Sequence, residues 1–129
     1  MDGVSVVTLR SVFLVCGDLD KSLTFYQQLG FVLKERKTRS YIFHTGSEVE
    51  LHLHERLSQA ERESFGVQWD TGSSGLVHSY ETTDLDSLAS SLPPDSVLAG
   101  PLETPWGTRI LMVGDPDGHR IELRERREL

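Results

Sequence analysis

The sequence predicts an α+β domain of two βαβββ modules, their strands forming a curved mixed sheet around a pocket with the helices outside. Three observations carry this. The chain repeats itself: Asp18-Leu19-Asp20-Lys21-Ser22-Leu23 returns as Asp84-Leu85-Asp86-Ser87-Leu88-Ala89, 66 residues on. Val49-Glu50-Leu51-His52 returns as Ile121-Glu122-Leu123-Arg124, 72 residues on, so two features recur in the same order at near-equal offsets. Within each copy the hydrophobic period moves from strand to helix and back to strand. Finally, 129 residues at 37% apolar and 26% charged suit a single globular domain over 1–129, with modules at 4–57 and 75–127. One such module has an open sheet that cannot bury both faces, whereas two side by side can.

The first copy opens with a strand over Val6 to Cys16. Val12, Phe13, Leu14 and Val15 form an unbroken apolar run, which predicts cover on both faces. Asp18 or Asp20 caps the next helix by accepting its free amide protons. Leu19, Leu23, Tyr26 and Gln27 keep helical spacing, Phe25 and Leu29 widen the stripe, and Gly30 ends it. Strands follow at Phe31 to Arg36 and Ser40 to Thr45, with a turn at Gly46-Ser47. Glu48 to His54 alternates, with Val49, Leu51 and Leu53 on one face and Glu50, His52 and His54 on the other.

Residues 55 to 75 read as a polar linker ending in Thr71-Gly72-Ser73-Ser74-Gly75, with a helical turn around Gln59 to Glu63. The second copy predicts a strand at Leu76 to Thr82 and a helix at Leu85 to Leu92, stopped by Pro93-Pro94. A weak edge strand at Ser96 to Leu102 and a strong strand at Thr108 to Val113 come next. The tight turn Asp115-Pro116-Asp117-Gly118 and the strand His119 to Arg124 close the domain.

Charge and composition exclude several functions. Thirteen basic residues against 20 acidic ones give a net charge of −7, which repels phosphate backbones and argues against a nucleic-acid partner. The apolar run Val12 to Cys16 is far too short to span a membrane, and the acidic Met1-Asp2-Gly3 start lacks the basic region of a secretory signal. The single cysteine, Cys16, cannot form an internal disulfide and reads as buried and inert. A cytoplasmic setting is the simplest expectation. No phosphate-binding glycine loop, nucleophile elbow or zinc-protease motif is present.

The stretch Val12 to Phe31, with Gly17-Asp18-Leu19, Phe25-Tyr26 and Leu29-Gly30-Phe31, resembles the opening strand and helix of the vicinal oxygen chelate superfamily. This superfamily includes glyoxalases, bleomycin-resistance proteins and extradiol dioxygenases. Pro105-Trp106-Gly107 and Asp115-Pro116-Asp117-Gly118-His119-Arg120-Ile121-Glu122-Leu123 are similar to its last hairpin. The resemblance covers nearly the whole chain and specifies a fold more than a chemistry. It implies a cavity in which family enzymes hold a divalent metal through the first, fourth, fifth and eighth strands. Those positions fall on Ser11, Glu50, Val77 and Glu122, so both usual nitrogen-ligand positions are lost. His78 lies one residue off, which in a strand means the face towards the helix unless a bulge turns it inward.

Two readings stand beside each candidate. Glu50 and Glu122 are facing carboxylates for a cation or a basic ligand group, or vestiges paired with arginines such as Arg109 or Arg124. His52, on the face of Glu50, is a substitute metal ligand or proton shuttle, or a hydrogen-bonded wall. Trp106 offers a stacking surface of the bleomycin-resistance kind, or a packing anchor at a dimer contact. Phe13, Val15, Ile110 and Met112 alternate into the expected cavity as apolar walls, or serve the core. His54 reads as solvated, His44 and His119 as ordinary strand-edge and turn residues, His78 as a satisfied core histidine and Tyr26 as packing. Arg124 to Glu128 reads as a solvated face.

The expectation is a homodimeric, bleomycin-resistance-type protein that sequesters a planar or cationic ligand without a metal. Its ligand residues would be Phe13, Glu50, His52, Trp106, Met112 and Glu122. The alternative is a metal-dependent lyase or dioxygenase using Glu50, His52 and Glu122. A third reading is a module that has kept the scaffold and lost its chemistry.

Overall fold

The computed structural model describes residues 9–65, 77–105 and 107–126. The first module comprises β1 (Ser11–Cys16), α1 (Leu19–Gln28), β2 (Val32–Arg36), β3 (Ser40–His44) and β4 (Glu50–Glu55). A short α2 (Gln59–Phe65) precedes β5 (Val77–Thr82), α3 (Leu85–Ser91), a 3-10 turn at Pro94–Ser96, β6 (Val97–Glu103), β7 (Arg109–Gly114) and β8 (Arg120–Glu125). The described strands form two four-stranded sheets, ordered β1-β4-β3-β2 and β5-β8-β7-β6. In each sheet the first and last strands of the module pair in parallel and the other neighbours are antiparallel. This is the expected βαβββ pattern, with no closed barrel among the described residues.

Several expectations fall outside the described residues: positions 6–8 of the first strand, linker positions 66–75 with their Thr71–Gly75 run, Leu76, Trp106 and tail positions 127 and 128. Of the two candidate caps, Asp18 is the one used, its carboxylate accepting from the Lys21 amide at 3.1 Å. Asp84 does the same for Ser87 in α3, also at 3.1 Å. Gly30 follows α1 at φ +101°, where a side chain would be strained. The turn read at Gln59 to Glu63 is a full helix. Ser58 Oγ accepts from the Glu61 amide and Glu61 Oε1 accepts from the Ser58 amide, a reciprocal capping box.

The core is one cluster drawn from both modules. Leu23, Phe25 and Tyr26 of α1 join Phe43, Leu51 and Leu53 of the first sheet, and Leu85, Leu111, Val113, Ile121 and Leu123 of the second module. Fully burying one such side chain is worth about 1.5–3 kcal/mol. β1 is covered on both faces only in its second half. Leu14, Val15 and Cys16 are buried, but Phe13 is 46% exposed.

The β7–β8 turn holds the second module against the first. Asp115 Oδ1 accepts from the amides of Asp117 (2.9 Å) and His119 (2.8 Å), while Oδ2 accepts from the Tyr26 hydroxyl at 2.8 Å. Asp117 Oδ1 accepts from the Gly17 amide at 2.8 Å, and its Oδ2 accepts from Ser22 Oγ at 3.2 Å. His119 Nε2 reaches the Val15 carbonyl at 3.0 Å. His119 is therefore no ordinary turn residue: it is 3% exposed and tied to β1. Tyr26, read as packing, is fully buried and also bonded. Burial, and then Asp115, hold its phenol well above the usual range.

Candidate functional site

Strand alternation sets which side chains leave the core. Leu51 and Leu53 of β4 are buried, so Glu50 and His52 project from the opposite face of the sheet. In β8 the buried residues are Ile121 and Leu123, which puts Glu122 on the other face; in β7 they are Leu111 and Val113, which does the same for Met112. Register brings neighbours together: Ser11 lies opposite Glu50, Phe13 opposite His52, and Glu122 opposite both Ser79 and Met112.

In the first module this face carries a compact group. The rings of Phe13 and His52 lie 4.5 Å apart, tilted by 44°. His52 Nε2 is 3.0 Å from Glu50 Oε1, and Lys34 Nζ donates to Glu50 Oε2. Lys34, and then His52, hold the Glu50 carboxyl down at about 2, so it is an anion at neutral pH. In the second module Glu122 Oε1 accepts from Ser79 Oγ at 2.7 Å and from Arg124 Nη2 at 3.4 Å.

The expected arginine partners are thus half corrected. Arg124 does reach Glu122, but Arg109 pairs instead with Asp86 (2.9 Å) and Glu125 (3.1 Å). The cation on Glu50 is Lys34, which the sequence reading did not single out. Lys34 is the extra residue where the β2–β3 register shifts between Leu33 and Glu35, so strand alternation carried no signal for it.

A cavity of about 810 Å3 lies between β1, β4 and β5. Among the described residues its wall includes Val12, Glu50, Val77 and Ser79, but not Phe13, His52, Met112 or Glu122. The expected ligand residues are therefore not gathered in one enclosed pocket; most sit on the sheet faces beside it. Ile110 and Met112 are half-buried, and Val15 is wholly in the core. Trp106 lies outside the described residues.

The remaining histidines divide. His44 is exposed at the end of β3. His54, read as solvated, is half-buried, its Nδ1 2.7 Å from the Glu55 carbonyl. His78 points away from the face of the 47%-exposed Val77 and is itself 8% exposed, with no bulge in the β5–β8 register to turn it inward. It is only half satisfied: Nδ1 is 3.2 Å from the Tyr80 hydroxyl, while Nε2 is buried without a partner. Cys16 is buried, as expected, and burial pushes its thiol up to about 12, which keeps it protonated.

The residues at the family's metal positions do not fit a metal within this chain. Val77 has no ligating atom, and Glu50, His52 and Glu122 do not gather into one cluster of ligand atoms. The described group that does gather is Asp115, Asp117 and His119, whose ligand atoms lie within 4.8 Å of one another. Every oxygen of its two carboxylates already accepts from a protein donor, which makes the group a structural clasp.

A family model described as the glyoxalase/bleomycin resistance protein/dioxygenase superfamily matches residues 8–123. No curated protein matches the chain. Among solved structures, a glyoxalase-related enzyme from Fulvimarina pelagi is 21% identical, with a TM-score of 0.79 over 94% of this chain and 89% of that one. A glyoxalase/bleomycin resistance protein/dioxygenase from Nocardioides is 27% identical, with a TM-score of 0.71 over 98% and 87%. TnmS3, an antibiotic-binding protein from Streptomyces sp. CB03234, is 24% identical, with a TM-score of 0.69 over 97% and 100%. The Fulvimarina and Streptomyces likenesses speak to the fold alone. No described helix is long and apolar enough to cross a membrane.

Proposed function

The chain belongs to the glyoxalase/bleomycin resistance protein/dioxygenase superfamily, and from that premise we propose that it binds a planar small molecule without a metal, as bleomycin-resistance-type proteins do. The carrying observation is that each carboxylate at a family ligand position already has its own cation, Lys34 on Glu50 and Arg124 on Glu122. A metal would have to displace both, and the two nitrogen positions, Ser11 and Val77, offer no imidazole in compensation. The same pairs neutralise the local charge, so they favour a flat aromatic ligand over a strongly cationic one.

Phe13, 46% exposed and packed on His52, supplies the stacking surface. Glu50 and His52 supply hydrogen-bonding groups at its edge, and Met112, Glu122 and Trp106 complete the ligand set in this reading. Val77, 47% exposed on an open sheet face, supports a homodimer that covers it with a second copy while leaving Phe13 to the ligand.

The test is calorimetric titration with a panel of planar aromatic antibiotics, alongside thermal shifts with Zn²⁺, Ni²⁺, Mn²⁺ and Fe²⁺ after chelator treatment. Binding by a panel member, weakened at least tenfold in Phe13→Ala, is expected, with no metal-induced shift. A metal-induced rise in melting temperature that disappears in Glu50→Gln and Glu122→Gln would instead favour the lyase or dioxygenase reading.

A further inference from the structure

Buried polar atoms without partners are scarce in folded proteins, so their clustering carries information. Among the described residues three side-chain atoms are sealed and unpartnered, and two belong to histidines, His78 Nε2 and His119 Nδ1; in the β5–β8 register His78 lies opposite Ile121, two residues along from His119. Both rings are more than nine-tenths buried. His119 is part of the seam: its Nε2 holds the Val15 carbonyl of β1, and its backbone amide is held by Asp115, which in turn takes the Tyr26 hydroxyl of α1.

We propose that His78 is an acid-sensitive latch on the seam between the modules, and that proton uptake at its ring releases the β7–β8 turn from β1 and α1. A proton on His78 would place a positive charge beside His119, with only the neutral Tyr80 hydroxyl of its own strand as a bonded partner. Among the described residues none of the other titratable groups of the seam bonds to the His78 ring. Cys16 of β1 and Tyr26 of α1 are held neutral by burial. Asp115 and Asp117 are already committed to Tyr26, Ser22 and backbone amides.

Burial, and then His119, lower the affinity of the His78 ring for a proton. The opened seam therefore protonates first as pH falls. The latch is intact above the ordinary histidine value of about 6.5 and weakens below it, by at most about tenfold in the opening equilibrium per pH unit.

Native-state hydrogen exchange tests this on the whole chain, corrected for intrinsic rates. The reporters are the Gly17 and His119 amides, bonded across or within the clasp, with the Leu53 amide of β4 as the control. Between pH 7.5 and 5.5 the clasp amides should lose protection at least fivefold relative to Leu53, and His78→Gln should abolish that difference. Equal loss at clasp and control, or an unchanged acid response in His78→Gln, overturns the latch. If His78→Gln does not fold, ring-proton NMR of the wild type decides. Clasp exchange in the wild type that stays flat from pH 7.5 to 5.5 while the His78 ring remains neutral refutes the proposal, and exchange that rises below about 6.5 by up to tenfold per pH unit sustains it.

Discussion

The two modules share a strand order and an aspartate cap, yet they do different work. α1 has ten residues and buries Ser22, Leu23, Phe25 and Tyr26, whereas α3 has seven and buries only Leu85. The turn before the last strand diverges even more. In the first module Thr45-Gly46-Ser47, among the described residues, bonds only to itself and to Val49. In the second, Asp115-Pro116-Asp117-Gly118 crosses to β1 and α1. Duplication preserved the backbone pattern, while divergence at a turn and a helix decided how the copies assemble.

The helices offer the largest contrast. Tyr26→Ala should cost about 3–5 kcal/mol, because it empties a fully buried aromatic site and frees Asp115. Leu88→Ala in α3, only partly buried, should cost about 1 kcal/mol. Urea denaturation of both variants measures the difference, and equal costs would break the asymmetry.

The turns come next. Asp115→Ala leaves the Tyr26 hydroxyl and two amides without their acceptor, an expected loss of about 3 kcal/mol. Thr45→Ala, in an exposed turn, should stay below about 1 kcal/mol by the same measurement.

Acid titration gives the smallest effect and sharpens the contrast through its sign. Burial holds the Asp115 carboxyl above the usual aspartate range, so the folded state takes up that proton before the unfolded chain does. Its contribution is full below the ordinary aspartate value of about 3.9 and is lost as pH rises through the folded value. Wild type should therefore gain on Asp115→Asn as pH falls from neutral. Glu61 of α2 is held at about 2, first by Arg39, and behaves in reverse. Its contribution is present above the ordinary glutamate value of about 4.3 and is lost as pH falls towards 2, so the advantage of wild type over Glu61→Gln should shrink in acid. Urea midpoints across pH 7 to 2.5 read both signs.

Much of the fold was legible because it is written in local periods. Leu51 and Leu53 alternate with Glu50 and His52, and the structure buries the first pair and turns out the second. Asp18 and Asp84 sit one residue ahead of helices that need an acceptor there. The site was less legible. Lys34 lies sixteen residues before Glu50, and only the strand β3 between them brings the two side chains together. His119 looked like a turn residue because nothing near it in sequence says that β1 ends beside it, yet Val15 is 104 residues away along the chain.

The sequence by itself determined the duplicated βαβββ pattern, the helix caps and the face on which Glu50, His52 and Glu122 stand, since each depends on neighbours a few residues apart. Only the tertiary structure decided that Lys34 is the cation on Glu50, that His78 is buried with one nitrogen unpartnered, and that the Asp115 turn is a clasp. Each of these depends on which strands lie side by side and how the two modules meet, and one-dimensional periodicity does not encode distance through space.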